Sequence, residues 1–240
     1  MYHSQLSKAY KIFHDWAKLP ITQEDLLTQQ ASLQAKFFPQ CQPLPGVPTL
    51  LSNLVSTQST DEPVYIALAT SSNGRNFKLK SDHLAELFSA FPQVHRVLGD
   101  DSRIGKGRGK PLPDIYLLAL ETINAELRKQ GKTEIAPAEC LVFEDAVPGV
   151  EAGRRAGMQV VWCPHPGLLE EYKGREEEVL AGRTGQHKEE EKSEAEKEAE
   201  ELQAWRIQGA GEPGEIGDGW GQLLGTLEDF PYHRYGIRIP

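Results

Sequence analysis

For its first sixty residues the chain places apolar positions at helical spacing, and short unbroken apolar runs then take over. Lys11 to Leu19 forms an amphipathic stretch. Thr22 opens a second helix with Asp25 three residues on, a variant capping box, and that helix runs through LLTQQASLQAKFF to stop before Pro39. After QPLPG, the segment VPTLLSNLVS predicts a third helix. Val64 to Thr70 (VYIALAT) is continuous, apolar and rich in β-branched residues, as in a strand buried on both faces. A helix is predicted from Ser81 and a short strand around VHRVLGD. A long helix follows from about Pro113 to Gln130, with Gly131 as its left-handed C′ residue. CLVFED then reads as a buried strand, GVEAGRRAG as a helix and MQVVWCP as a third apolar strand.

Strands alternating with helices predict an α/β fold, a parallel sheet wrapped by helices. The all-helical start predicts a separate helical subdomain. Near the C-terminus GAGEPGEIGDGWGQ is Gly-rich and loop-like, whereas LLGTLEDFPYHRYGIRIP carries enough Leu, Phe, Tyr and Ile to dock on the body.

Charge refines this picture. The 240 residues carry a formal net charge of −9. Between 170 and 201 stand thirteen glutamates against six lysines or arginines, so most of the acidity is local. Its centre, HKEEEKSEAEKEAEELQAW, has almost no apolar face and reads as a solvated helix or a disordered insertion, with a partner-binding element at 186–205 as the alternative. An acidic chain argues against nucleic-acid binding. No run approaches a membrane span and the start lacks an apolar leader core, so a cytoplasmic protein is expected. Cys41, Cys140 and Cys163 form no CxxC pair and read as reduced core thiols.

In parallel sheets, ligands sit beyond the carboxyl ends of the strands. VYIALAT ends in Thr70, Ser71, Ser72, Asn73 and Gly74; VHRVLGD leads to Asp100 and Asp101, then Lys106, Arg108 and Lys110 among glycines; CLVFED ends in Glu144 and Asp145. Hydroxyls, a lysine and paired carboxylates at one edge suit a phosphate and a divalent metal. Each also has a plain structural use. Thr and Ser serve turns and caps, Lys110 fits a solvated loop, and Glu144 and Asp145 fit the start of the next helix. A P-loop is excluded, because Ile104 stands where the first Gly is required and Pro111 where Ser or Thr must follow the lysine.

The ordered combination resembles the haloacid dehalogenase-like (HAD) hydrolase superfamily. ALATSSN looks like its second motif, GKPLPDIYLLAL its third, and CLVFEDAVPGVEAGRRAGMQVVWCP its fourth. The wording is that of the helical-cap branch, nearest to pseudouridine-5′-phosphatase-like and 2-deoxyglucose-6-phosphatase-like members, and the ending LEDFPYHRYGI is similar to fungal ones. The resemblance implies a Rossmann-like three-layer core and a helical cap. Residues 1–45 would be a partial cap, 46–168 the core with motifs two to four, 169–208 an acidic insertion and 209–240 a docking C-terminal segment. It further implies phosphate binding by Thr70 and Ser71, charge stabilisation by Lys110, and Mg²⁺ held by Glu144 and Asp145. The substrate would be a small phosphorylated sugar or nucleotide such as pseudouridine 5′-phosphate, cleaved through an aspartyl-phosphate. A phosphomutase and a non-catalytic ligand- or partner-binding protein are the alternatives.

One part of the pattern is absent. The family's first motif, an apolar strand ending DxDG, supplies the nucleophile and the acid/base, and no two of the ten Asp here are separated by one residue. The expectation is therefore an N-terminally truncated, inactive chain whose missing strand would lie between those ending at Thr70 and Asp145.

Overall fold

The computed structural model describes residues 8–185 and 211–240. Two compact units divide the chain, Met1–Gln42 with Arg75–Leu84, and Pro43–Gly74 with Ala85–Pro240. The acidic stretch at 186–205 lies outside the described residues.

In the smaller unit, α1 (Lys8–Ala17) packs on α2 (Gln23–Phe37). Thr22 and Asp25 form the reciprocal capping box expected, with the Asp25 N–H donating to Thr22 Oγ1 at 3.0 Å. His14 Nε2 donates to the Ile21 carbonyl at 2.7 Å and so fixes the turn between the helices. The helix expected from Ser81 instead begins seven residues earlier as α4 (Gly74–Ser81) and gives way at 82–84 to a 3₁₀ turn. Strong charges in its last turn, Lys78 and Lys80, suit the negative end of its dipole.

The larger unit holds the parallel sheets. β1 (Leu68–Ala69) pairs with β2 (Arg96–Val97), while β3 (Leu141–Glu144), β4 (Gln159–Trp162) and β5 (Gly221–Leu223) form a second sheet in that order. The seven-residue strand expected at 64–70 is thus two residues long. A strand is a hydrogen-bonded ladder, and among the described residues no strand is paired with 64–67, which run beside a cavity. β5 corrects the sequence reading in the other direction: it emerges at the end of the Gly-rich stretch taken as loop.

Alternation along the strands builds a layer on each face. Val142, Val160 and Trp162 point to one cluster, shared with α6 (Asp114–Lys129), α7 (Val147–Arg155) and α9 (Glu176–Ala181). Leu141, Phe143, Val161 and Cys163 point to the other, completed by α3 (Val47–Ser56) and by Leu227 and Phe230. This is the α/β, Rossmann-like arrangement of helices on both sides of parallel strands. The C-terminal residues dock as their composition suggests: Phe230 stacks on Tyr235 with centroids 5.2 Å apart, and Asn53 Nδ2 donates to Tyr232 Oη at 3.1 Å. Short α5 (Ala85–Phe88) and α8 (Pro166–Glu171) complete the helices described. Val179, Leu180 and Ala181 of α9 are buried, within the stretch read as an acidic segment.

Helix α6 ends as its sequence demands. Gly131 sits at φ +67°, the Lys132 N–H bonds the Leu127 carbonyl and the Gly131 N–H bonds that of Arg128, which is a Schellman motif.

Candidate active site at the strand ends

Two strand ends meet on Lys110. Its Nζ donates to the Ala69 carbonyl, the last residue of β1, at 3.2 Å and also to Glu144 Oε1 at the end of β3. The two side chains are only 11% and 7% exposed, so the ion pair is sheltered from water. Lys110 Nζ also lies 4.8 Å from the ring centroid of Tyr116, in the first turn of α6. The Tyr116 hydroxyl donates to the same Glu144 oxygen. Burial first, and then the Glu144 carboxylate, push the Tyr116 phenol well above its usual range, so it stays a neutral donor.

Backbone geometry holds this constellation in place. An ideal Cβ on Gly149 would lie 2.0 Å from the Glu144 carboxyl carbon, so the bare backbone of α7 is what admits that carboxylate. The Thr70 N–H donates to the Val97 carbonyl at 3.0 Å, and Thr70 Oγ1 accepts from the Ser72 N–H at 3.2 Å. Gly99 passes so close to Ser71 that a Cβ would sit 2.2 Å from the Ser71 carbonyl oxygen. Asp100 accepts from the Gly74 N–H through both oxygens at 3.0 Å, which ties the β1 and β2 ends together. Trp162 Nε1 donates to the Asp145 carbonyl at 3.2 Å.

Of the residues singled out in the sequence, Lys110 and Glu144 touch, and Thr70 is adjacent to the carbonyl that Lys110 binds. Ser71 and Asp145 are exposed on the loops that follow β1 and β3. The basic loop divides its labour: Arg108 serves the fully buried Asp114 with contacts of 2.5 and 2.9 Å, leaving Lys110 to reach the strand ends. Tyr116 was missed, because a tyrosine on the buried face of an apolar helix looks like core; its distance of six residues from Lys110 was the available signal. Burial pushes the Cys140 thiol up to about 12 and raises Cys163, while Cys41 is exposed and so is no core residue, contrary to expectation.

Magnesium takes hard oxygen ligands, commonly one or two carboxylates completed by water and phosphate. Glu144 and Asp145 offer two such carboxylates, and with Lys110 nearby the set carries one net negative charge. Among the described residues no three or more His, Cys, Asp or Glu gather to form a closed cage. The donors suit an ion completed by ligands from outside this set.

A family model described as haloacid dehalogenase-like hydrolase matches residues 14–157. An uncharacterised protein of Schizosaccharomyces pombe is 38% identical over 66% of this chain and 61% of its own length. Two proteins named probable pseudouridine-5′-phosphatase are similar as well. The Saccharomyces cerevisiae one is 42% identical over 69% of this chain and 65% of its own length. The Drosophila melanogaster one is 35% identical over 68% of this chain and 64% of its own length. The matched part thus spans under two thirds of each relative. Among the described residues, no helix is long and apolar enough to cross a membrane.

Proposed function

The chain belongs to the haloacid dehalogenase-like hydrolase family, and from that premise we propose that its strand-end site serves a magnesium-dependent phosphomonoesterase. The substrate class is a small phosphorylated sugar or nucleotide, and the names of two relatives favour pseudouridine 5′-phosphate. The observation that supports this reading most is the Lys110 ammonium joining the end of β1 to Glu144 at the end of β3.

In this reading Thr70 and Ser71 direct hydroxyl and N–H groups at the phosphoryl oxygens. Lys110 moves from Glu144 to the incoming phosphate and offsets charge as it builds on the transferring group. Tyr116 keeps its hydrogen bond to Glu144, so the carboxylate is not left bare when the lysine departs. Mg²⁺, held by Glu144 and Asp145, would draw charge from the phosphoryl oxygens. The nucleophile is not among these residues, since no two aspartates of the 240 are separated by one position. On this reading no phosphate release is expected from the 240 residues alone.

The test is hydrolysis of p-nitrophenyl phosphate and pseudouridine 5′-phosphate with Mg²⁺. The 240-residue chain should release no phosphate. A form extended by upstream-encoded residues ending an apolar run in Asp-x-Asp should be active, and Lys110→Ala should lower its kcat by at least about 100-fold. Full activity of Lys110→Ala would reject the site. The lack of paired aspartates also favours a second reading, a non-catalytic protein that binds a phosphorylated ligand. Saturable phosphate-ester binding with no turnover in any extended form would support it. Phosphate moving between two positions of one sugar, with little net release, would instead identify a phosphomutase.

A further inference from the structure

Beyond the end of β1 the chain is held at successive points by residues 97–100. The Thr70 N–H bonds the Val97 carbonyl at 3.0 Å, and the Gly99 N–H bonds the Ser72 carbonyl at 2.9 Å. Between these two bonds Gly99 lies so close to Ser71 that any side chain there would strike the Ser71 carbonyl. The last hold is a side chain: Asp100 takes the Gly74 N–H with both carboxylate oxygens at 3.0 Å. Residues 70–74 and 97–100 all belong to the larger unit. Asp100 and its neighbour Asp101 have different duties. Asp101 accepts from the Arg103 backbone N–H at 3.0 Å and from its guanidinium at 2.9 and 2.7 Å, so it shapes its own loop. Asp100 instead reaches a residue 26 positions away. Gly74 opens α4, and the first N–H groups of a helix attract anions. The residue just before a helix ordinarily caps these groups. Here a carboxylate from another strand end takes that place.

We propose that Asp100 is a positioning residue for phosphate binding, which shapes the turn at Ser71–Gly74 and fills the N-terminus of α4 with an internal acceptor. The role rests on the phosphate site proposed above at Thr70, Ser71 and Lys110. With the Gly74 N–H already taken, an incoming phosphate monoester is turned away from the helix end and toward Ser71 and Lys110. Asp100 touches no reacting atom in this role. It acts through the turn, where a misplacement of about 1 Å spoils the geometry of the groups that meet the ligand. Because Asp100 is exposed, its removal leaves the apolar core intact, and the effect on binding is separable from an effect on folding. The two acidic neighbours are equivalent in sequence, and only the bond to Gly74 distinguishes them.

The probe is inorganic phosphate with Mg²⁺, titrated into the full 240-residue chain and followed by NMR at the phosphorus and at the backbone amides. Asp100→Ala should raise the phosphate Kd at least about tenfold. Without phosphate, the Gly74 amide of that variant should exchange at least about tenfold faster, while its Tm stays within a few degrees of the parent. Asp100→Asn keeps an oxygen acceptor at the same place and should recover most of the affinity and of the amide protection. A carboxylate that only stabilised the fold would move Tm and leave the phosphate Kd unchanged, which overturns the proposal. Tighter binding by Asp100→Ala overturns it too, since the carboxylate would then be a competitor of phosphate. So does Asp100→Asn behaving no better than Asp100→Ala. Lys110→Ala separates the two levels of the argument. Loss of binding in Lys110→Ala with none in Asp100→Ala rejects the positioning role alone. No binding by the parent chain, or binding that Lys110→Ala leaves untouched, rejects the phosphate site and the positioning role together.

Discussion

Lys110 and His95 show how differently two sheltered titratable groups are used. Lys110 is held by a carboxylate and a carbonyl and faces the strand ends, where a ligand could replace either partner. His95 is only 9% exposed, with Nδ1 3.1 Å from Thr122 Oγ1 and Nε2 3.3 Å from Glu126 Oε2. Burial lowers its pKa, and Glu126 opposes this less strongly. The unfolded imidazole takes up a proton near pH 6.5 and the folded one resists until lower pH. The unfolded state therefore binds more protons below that point, and stability should fall as the pH drops from about 6.5 toward the folded pKa. The decline in Tm between pH 7 and 5 should be shallower in His95→Gln; an unchanged slope would show that His95 is not responsible. At this scale the strand ends were legible. Polar residues closing apolar runs mark strand ends, so Thr70, Glu144 and Asp145 stood out. Tyr116 and Gly149 did not, because their roles lie in a hydroxyl direction and a missing Cβ that no periodicity records.

Two glycines with positive φ separate backbone strain from crowding at the ends of helices. Gly131, beyond α6, has φ +67° and nothing within 4 Å of an added Cβ. Gly46, the N-cap of α3, has φ +85° and a Cβ there would lie 2.1 Å from the Leu227 carbonyl carbon. Gly131→Ala should cost about 1 kcal/mol from the left-handed conformation alone. Gly46→Ala should cost about 2 kcal/mol or more, because the backbone at 227–228 must also move. Urea denaturation measures both; equal losses would mean that the C-terminal segment yields freely. Helices with local end signals were read well from sequence: the Thr22–Asp25 box and the Gly131 cap need no distant partner, whereas α4, which lacks such a signal, was placed seven residues late. Strands were read less well. Val64 to Ala67 have the composition of a strand but, among the described residues, no strand paired with them, whereas Gly221–Leu223 lack the composition and find a neighbour in β4.

At the scale of the molecule, one face of the sheet depends on the end of the chain. Leu227 and Phe230 are buried against Val161 and Cys163, with Tyr232 and Tyr235 packed around them. Deleting residues 226–240 should cost at least about 3 kcal/mol, the scale of losing one buried phenylalanine. A urea midpoint unchanged by the deletion would show that this layer does not support the core. That dependence was only partly legible, since apolar content marked the tail for docking but not which strands it would cover. Strand β5 adds a consequence in time. It lies beside β4 yet follows it by about sixty positions, and both the strand and the aromatic layer come from the final twenty residues. During synthesis β4 is made early and waits with one edge and one apolar face exposed. Such long-range pairing folds slowly and leaves the nascent chain open to association with its neighbours until residues 221–240 have been made.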